Sequence, residues 1–200
     1  MQTLEDWGGS PLMTTAYAPA RHRLSADDFL QMARSGILHE DDRIELIDGD
    51  LIDMAPIGSE HASLTDWFTR HLVLAIGQHA IVRIQSSLSL DKHSQPQPDV
   101  QVLRAREDYY RKAHPRAENV LLLIEVSDTT ARFDREMKVP LYAHYGVVEV
   151  WLVDVAQQSV EVYRDPQPAT STYRQMTAYR QGSLIPQQLP MVSIAVEQLF

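Results

Sequence analysis

Apolar residues recur along the chain in two rhythms. Leu64, Phe68, Leu72 and Ile76 repeat at every fourth position within GSEHASLTDWFTRHLVLAIGQHA, which predicts an amphipathic helix capped by Ser59. A shorter helix is expected through ADDFLQMARSG, with Ser25 as N-cap, Asp27 and Asp28 in the positive first turn and Gly36 at the end. The second rhythm is alternation. RIELIDGDLIDMAP sets Asp48-Gly49 as a type I′ turn between two strands, and IVRIQSSLSLD and PDVQVLR read as two more. A loop and a helix are expected from Arg104 to Glu118. NVLLLIEVSD then predicts a strand buried on both faces, and REMKVPLYAHYG a helix in which Pro140 imposes a kink or a late start. VVEVWLVD and SVEVYRD form a hairpin around residues 156–158, and the tail carries a small strand pair around Gly182. The order of hairpin, helix, central strands, helix and further strands predicts a mixed α/β fold. Residues 1–22 show no periodicity and read as a loose arm, leaving residues 23–200 as one domain without repeats.

Composition narrows this picture. Two hundred residues with 44% hydrophobic content suffice for a single core. Cysteine is absent, which excludes disulfides and thiolate metal sites and fits a reducing compartment. Glu5 and Asp6 stand where a signal peptide would be basic and then apolar, and no stretch approaches a membrane span, so a cytoplasmic protein without membrane contact is expected. The net charge of -9 has the wrong sign for general nucleic-acid binding, which depends on cations neutralising phosphates. It does not oppose an enzyme whose clustered carboxylates hold a cation.

Glu125 interrupts the most apolar strand of the chain, LLLIEV. Side chains alternate along strands, so Ile124 and Val126 point away from Glu125, and a neighbouring strand opened by Pro98-Asp99 could bring Asp99 beside it. Two close, buried carboxylates repel, and a hard cation such as Mg²⁺ offsets that cost with one or two carboxylates and several waters. A solvated or arginine-paired Glu125 stays open at this stage. Asp134, Lys138 and Tyr142 share one helix face beside the apolar stripe of Met137, Leu141 and Tyr145, and on an isolated helix Lys138 reads first as a surface partner of Asp134. Glu45 alternates with Ile44 and Leu46, as either a solvent-facing or a functional residue. His61 lies on the inward face of its helix, in the first turn, where the dipole favours neutral imidazole, as a structural or a proton-relaying group. The remaining histidines show no metal-ligand spacing: His71 and His79 are too far apart to chelate one ion. RAREDYYRKAHPR mixes cations and aromatics, so Arg104, Arg106, Tyr109, Tyr110, Arg111 and Lys112 are candidates for nucleic-acid contact flanking the carboxylate strands, or else for a solvated surface.

Taken together, ELIDGDL, SEHA, QPDV, LLLIEVSD, REMKVPLYAHYGVVEVWLVD and VEVYR resemble the Uma-type family of bacterial restriction endonucleases, a branch of the PD-(D/E)XK nuclease superfamily. The resemblance runs from Leu24 to the C-terminus. It implies a restriction-endonuclease-like core, a central mixed β-sheet flanked by helices, with the site gathered at strand ends. On that pattern Asp99 is the aspartate of the motif and Glu125 its second acid. The superfamily lysine two residues later is Ser127 here, and Lys138 on the following helix stands in as a lysine that has migrated. Glu45 and His61 match the upstream acid and histidine.

The activity so implied is metal-dependent hydrolysis of DNA. Asp99, Glu125 and the Val126 carbonyl would hold Mg²⁺ or Mn²⁺, Lys138 would orient water or stabilise developing charge, and Glu45 and His61 would assist. The alternative is a catalytically silent binding or regulatory protein that keeps the fold. A homodimer, with VVEVWLVD and the strand-rich tail as its surface, is a further expectation.

Overall fold

The computed structural model describes residues 21–39 and 41–200. The arm expected over residues 1–22 therefore lies, but for its last two residues, outside the described residues. Helix α1 (Ala26–Arg34) starts as expected: Ser25 Oγ accepts from the Asp28 N–H, and the Asp28 carboxylate accepts from the Ser25 N–H. Strands β1 (Ile44–Ile47) and β2 (Asp50–Asp53) form the hairpin, with Asp48 and Gly49 at φ 51° and 84°. These are the left-handed values a type I′ turn requires. A side chain at residue 49 would also drive its Cβ to 2.6 Å from Arg23 Cβ.

Helix α2 (Ser59–Ile76) buries Leu64, Phe68, Leu72 and Ile76, the fourfold stripe of the sequence. Its N-cap is Gly58 rather than Ser59, which is already helical, and no side chain caps it. Six strands form the central sheet in the order β3 (Ala80–Ile84), β4 (Val100–Arg104), β5 (Val120–Ser127), β6 (Glu149–Asp154), β7 (Ser159–Gln167), β8 (Thr172–Tyr179). Only β5 and β6 pair in parallel, because a helical crossover joins them. The strand expected through residue 91 stops at Ile84, where Gln85 adopts φ 41°.

That crossover is one continuous helical stretch of unusual make-up: α3 (Ala131–Phe133), a π-helical segment (Asp134–Lys138) and α4 (Val139–His144). The Val139 N–H bonds Asp134 O, one residue further back than in an α-helix. Pro140 follows immediately and has no N–H to give. The distortion expected from this proline therefore takes the form of a π turn just before it. The turn also settles which side faces inward. Asp134, Lys138 and Tyr142 are buried, while Met137 is half exposed, so the polar stripe rather than Met137, Leu141 and Tyr145 meets the sheet most closely.

Strand β5 is buried along its whole length. Ile124 and Val126 join α2 and the tail residues Leu184, Leu189, Val192, Ile194 and Val196 in one core layer. Leu123 joins Val139, Tyr142, Val150 and Leu152 in the layer on the opposite face. Glu125 and Ser127 share that second face. The tail pair is β9 (Ser183–Leu184) with β10 (Ile194–Ala195). Strand β6 is central and wholly buried, so VVEVWLVD cannot serve as the dimer surface expected of it; the edges of the sheet are β3 and β8, of which β8 is largely exposed.

Candidate active site

The register of β4 on β5 pairs Val100 with Ile124. Asp99 thus falls beside Glu125 at one end of the sheet, on the face opposite the α2 layer. The backbone locks the pair: the Val126 N–H donates to Asp99 Oδ2 at 2.9 Å, and the Asp99 N–H lies 3.4 Å from Glu125 Oε2. Helix α2 begins at this end of the sheet, and His61 Nε2 reaches Asp99 Oδ1 at 3.0 Å. The other ring nitrogen, Nδ1, is buried without a hydrogen-bond partner.

Two further elements complete the cluster. The hairpin contributes Glu45, which is buried and not solvent-facing. Its Oε1 accepts the Gln97 N–H at 2.6 Å, tying β1 to the loop that leads into Asp99. The crossover contributes Lys138, whose Nζ lies 3.0 Å from Glu45, 3.3 Å from Glu125 and 3.9 Å from Asp134. The surface pairing with Asp134 open to the sequence does not occur; both residues are buried. Tyr142 donates its hydroxyl to Glu125 Oε1 at 2.5 Å. Ser127 and Thr130 both donate to Asp134 Oδ2, at 2.6 and 2.7 Å.

The charges do not balance. Glu45, Glu125 and Asp134 surround one ammonium and Asp99 lies beside them against His61, all of them nearly inaccessible to solvent. Burial pushes the Glu125 carboxyl well above the usual range; the Lys138 ammonium opposes this, and the Asp99, Asp134 and Glu45 carboxylates add to it. Asp99 behaves oppositely. Burial raises it too, but the His61 hydrogen bond and charge, the Val126 N–H and Lys138 outweigh burial and hold it below its ordinary value. Burial would lower the Lys138 pKa, yet Glu125, Glu45 and Asp134 raise it further, so it stays an ammonium. Burial and the neighbouring Glu125 and Glu45 charges lift the Tyr142 phenol and keep it a donor.

Glu45, His61, Asp99, Glu125, Asp134 and Lys138 floor a pocket of about 620 Å³. Ile52, Met54, Pro56, Ile57 and Phe133 give it apolar walls, and Arg43, Asp53 and Asp128 line it too. The donor chemistry suits a hard divalent cation. Two adjacent carboxylates with surplus negative charge match an ion that takes one or two carboxylates and keeps its waters. Among the described residues no three His, Cys, Asp or Glu side chains converge as an all-protein cage would need.

Sequence reasoning placed Asp99, Glu125, Lys138, Glu45 and His61 as candidates, and the fold gathers all five around one pocket. Val126 lines it as well. It missed the parts played by Tyr142 and Asp134, although their fourfold spacing with Lys138 carried the signal. Gln97 and Thr130 gave none. The basic segment does not flank the carboxylate strands at the site, as expected of it. Strands β4 and β5 are antiparallel, so the connection from Arg104 to Val120 joins the ends remote from Asp99 and Glu125, roughly 17 Å away along β4. The helix expected there is replaced by turns with Tyr109 and Tyr110 at positive φ and a short 3₁₀ segment at Ala117–Asn119. Tyr110 is buried beneath Arg106, donates to Arg104 O and cannot stack on a base, whereas Tyr109 is exposed. Arg106 is paired with Asp108. Neither Arg104, Arg106, Arg111 nor Lys112 lines the pocket.

Comparison with known proteins agrees with this architecture. The model of the Uma2 family, described as "Putative restriction endonuclease", matches residues 26–197. A crystal structure of a "putative nuclease belonging to DUF820" from Anabaena variabilis superimposes with a TM-score of 0.68 at 16% identity, covering 88% of this chain and 97% of that one. At that identity the likeness establishes the shared fold. No curated protein matches the chain. No helix among the described residues is long and apolar enough to cross a membrane.

Proposed function

The chain belongs to the Uma2 family, and on that premise we propose that its pocket hydrolyses phosphodiester bonds of DNA with the help of Mg²⁺ or Mn²⁺. Nuclease chemistry is what the family and fold support. The observation that carries the finer reading is the excess of buried carboxylates at the pocket floor, three of them around a single ammonium and a fourth, Asp99, against His61. A bound divalent cation would offset this surplus of carboxylates, which in the metal-free protein is relieved only in part by the raised Glu125 carboxyl.

Asp99 and Glu125 would hold the ion, with the Val126 carbonyl a further ligand. Once bound, the ion supplies Lewis acidity to the phosphate and lowers the pKa of an attached water. The chain does the rest. His61 fixes Asp99 through Nε2, and Glu45 and Tyr142 hold Lys138 and Glu125 in their places. Lys138 presents a permanent positive charge to the phosphate as its oxygens gain negative charge. A water oxygen bonds to phosphorus, one P–O ester bond breaks, the departing oxygen gains a proton and the water proton leaves to solvent or a neighbouring base.

The test is conversion of supercoiled plasmid to nicked or linear DNA in Mg²⁺ or Mn²⁺. Lys138→Ala is expected to lower turnover while leaving the metal's half-saturating concentration nearly unchanged. Cleavage by Lys138→Ala at the normal rate would remove this residue from the mechanism. Absence of both metal binding and cleavage in the intact protein would favour the silent binding protein instead.

A further inference from the structure

Ser127 donates to a carboxylate that faces Lys138, and this linkage has work to do. We infer that Ser127 and Asp134 are positioning residues for Lys138, an inference that rests on the catalytic role proposed for that lysine. Asp134 Oδ2 is occupied by two hydroxyls, Ser127 Oγ at 2.6 Å and Thr130 Oγ1 at 2.7 Å. Two donors on one oxygen fix the rotation of the carboxylate and leave Oδ1 turned toward Lys138 Nζ, 3.9 Å away. At that separation Asp134 acts on the ammonium by charge and not through a hydrogen bond. The hydrogen bond of Nζ goes to Glu45, and Glu125 Oε1 is an ion-pair contact at 3.3 Å. Nζ is therefore poised between two carboxylates that hold it and a third that draws it from the helix side.

A lysine needs such guidance more than most residues, because its ammonium rides on a flexible four-carbon stem. The π turn makes the need sharper. Asp134 opens it and Lys138 closes it, so the spacing that aims one at the other differs from that of an ordinary helix. Burial gives the linkage force, since Ser127, Asp134 and Lys138 are each at most 5% exposed and bulk water cannot screen them. Ser127 also shares the Glu125 face of β5, two residues further on. A side chain at residue 127 thus enters the space that Lys138 reaches from the helix. Serine, too short to reach that space itself, acts on it through Asp134.

The test combines amine footprinting of the metal-free protein with cleavage of plasmid DNA in Mn²⁺. In the wild type Lys138 should react slowly with an amine-specific acylating reagent read by mass spectrometry. Asp134→Asn and Ser127→Ala should speed its labelling while other lysines keep their rates. Both variants should lower kcat, with Asp134→Asn approaching ~100-fold, the scale of a one-ångström misplacement, and KM for DNA unchanged. Ser127→Thr, which keeps the hydroxyl, should restore both readouts. The double variant Ser127→Lys with Lys138→Ala should cleave faster than Lys138→Ala alone, and Glu136→Gln, on the exposed side of the π turn, should behave as wild type. A purely structural Ser127–Asp134 tie predicts lower melting temperature and general labelling with no gain from the double variant, and that result overturns the inference. Unchanged labelling and kcat in Asp134→Asn overturn it too, while leaving the nuclease function standing. If the wild type cleaves no DNA, the function proposed for Lys138 falls, and the footprint alone then decides whether Asp134 aims the side chain.

Discussion

Two neighbouring strands each bury a glutamate in an apolar run, LLLIEVSD in β5 and VVEVWLVD in β6. Their surroundings could hardly differ more. Glu149 accepts from Trp151 Nε1 at 2.8 Å, from Arg164 at 2.7 and 3.0 Å, and from the Gln187 N–H at 2.7 Å. One carboxylate meets one guanidinium, and the network ties the tail to the sheet. Glu125 shares a single ammonium with Glu45 and Asp134 and lies beside Asp99, and the neighbouring His61 ring keeps an unpartnered nitrogen. A buried carboxylate alone therefore does not mark a site. What marks it is charge that the fold has gathered and left uncompensated, as active sites do when they are kept ready for a ligand.

The comparison breaks most visibly at turnover. Asp99→Asn should reduce DNA cleavage in Mn²⁺ by ~10³-fold, the scale of removing one preorganised electrostatic contact to a transition state. Its melting temperature should change little. Glu149→Ala should do the reverse. Removing one partner of a buried pair costs roughly 3 kcal/mol, read as a lower denaturation midpoint, while activity per folded molecule persists. Equal damage to activity from both substitutions would erase the distinction.

Metal should stabilise only the unbalanced cluster. At 100 times its Kd, Mn²⁺ adds about 2.7 kcal/mol of stability by mass action, seen as a higher melting temperature in wild type and Glu149→Ala but not in Asp99→Asn. The pH dependence follows from Glu125. Its native pKa lies above the ordinary 4.5, so the native state holds a proton that the unfolded chain releases, and this contribution to stability fades as pH rises through the raised value. Metal-free Glu125→Gln should lack that decline, shown by subtracting its melting curve from the wild-type curve across pH. Metal affinity should weaken as pH falls, because protons then compete for Glu125.

The smallest effects belong to the far end of the sheet. Arg111→Ala and Lys112→Ala should alter kcat and stability by no more than about 0.5 kcal/mol, the ordinary range for exposed sites. A large loss of cleavage there would mean that bound DNA extends from the pocket across the whole sheet.

Much of the fold was legible because local rules and tertiary packing agree. Alternation in β1 and β2 with Asp48-Gly49 between them, the fourfold stripe of α2 and the apolar run that opens β5 all appear where their periodicities place them. Where the sequence misled, a non-local contact had intervened. Arg104 to Glu118 has helical composition but is held in turns by Tyr110 bonding Arg104 O and Arg83 bonding Tyr109 O. Met137, Leu141 and Tyr145 look like the buried stripe until the π turn before Pro140 changes the phase.

The sequence by itself determined which elements carry the charged candidates: Glu125 stands out by interrupting an apolar run, while Glu45, Asp99, Lys138 and His61 join it through the family resemblance. Periodicity alone does not separate Glu125 from Glu149, each an acid in a buried strand, and it is the family resemblance that singles out Glu125. Only the tertiary structure shows why their surroundings differ, by bringing Glu45, Asp99, Asp134 and Lys138 to one and Arg164 to the other. The physical reason is that pattern is local and charge balance is not: periodicity fixes which face a side chain takes, while register, crossover and chain return fix which charges meet there.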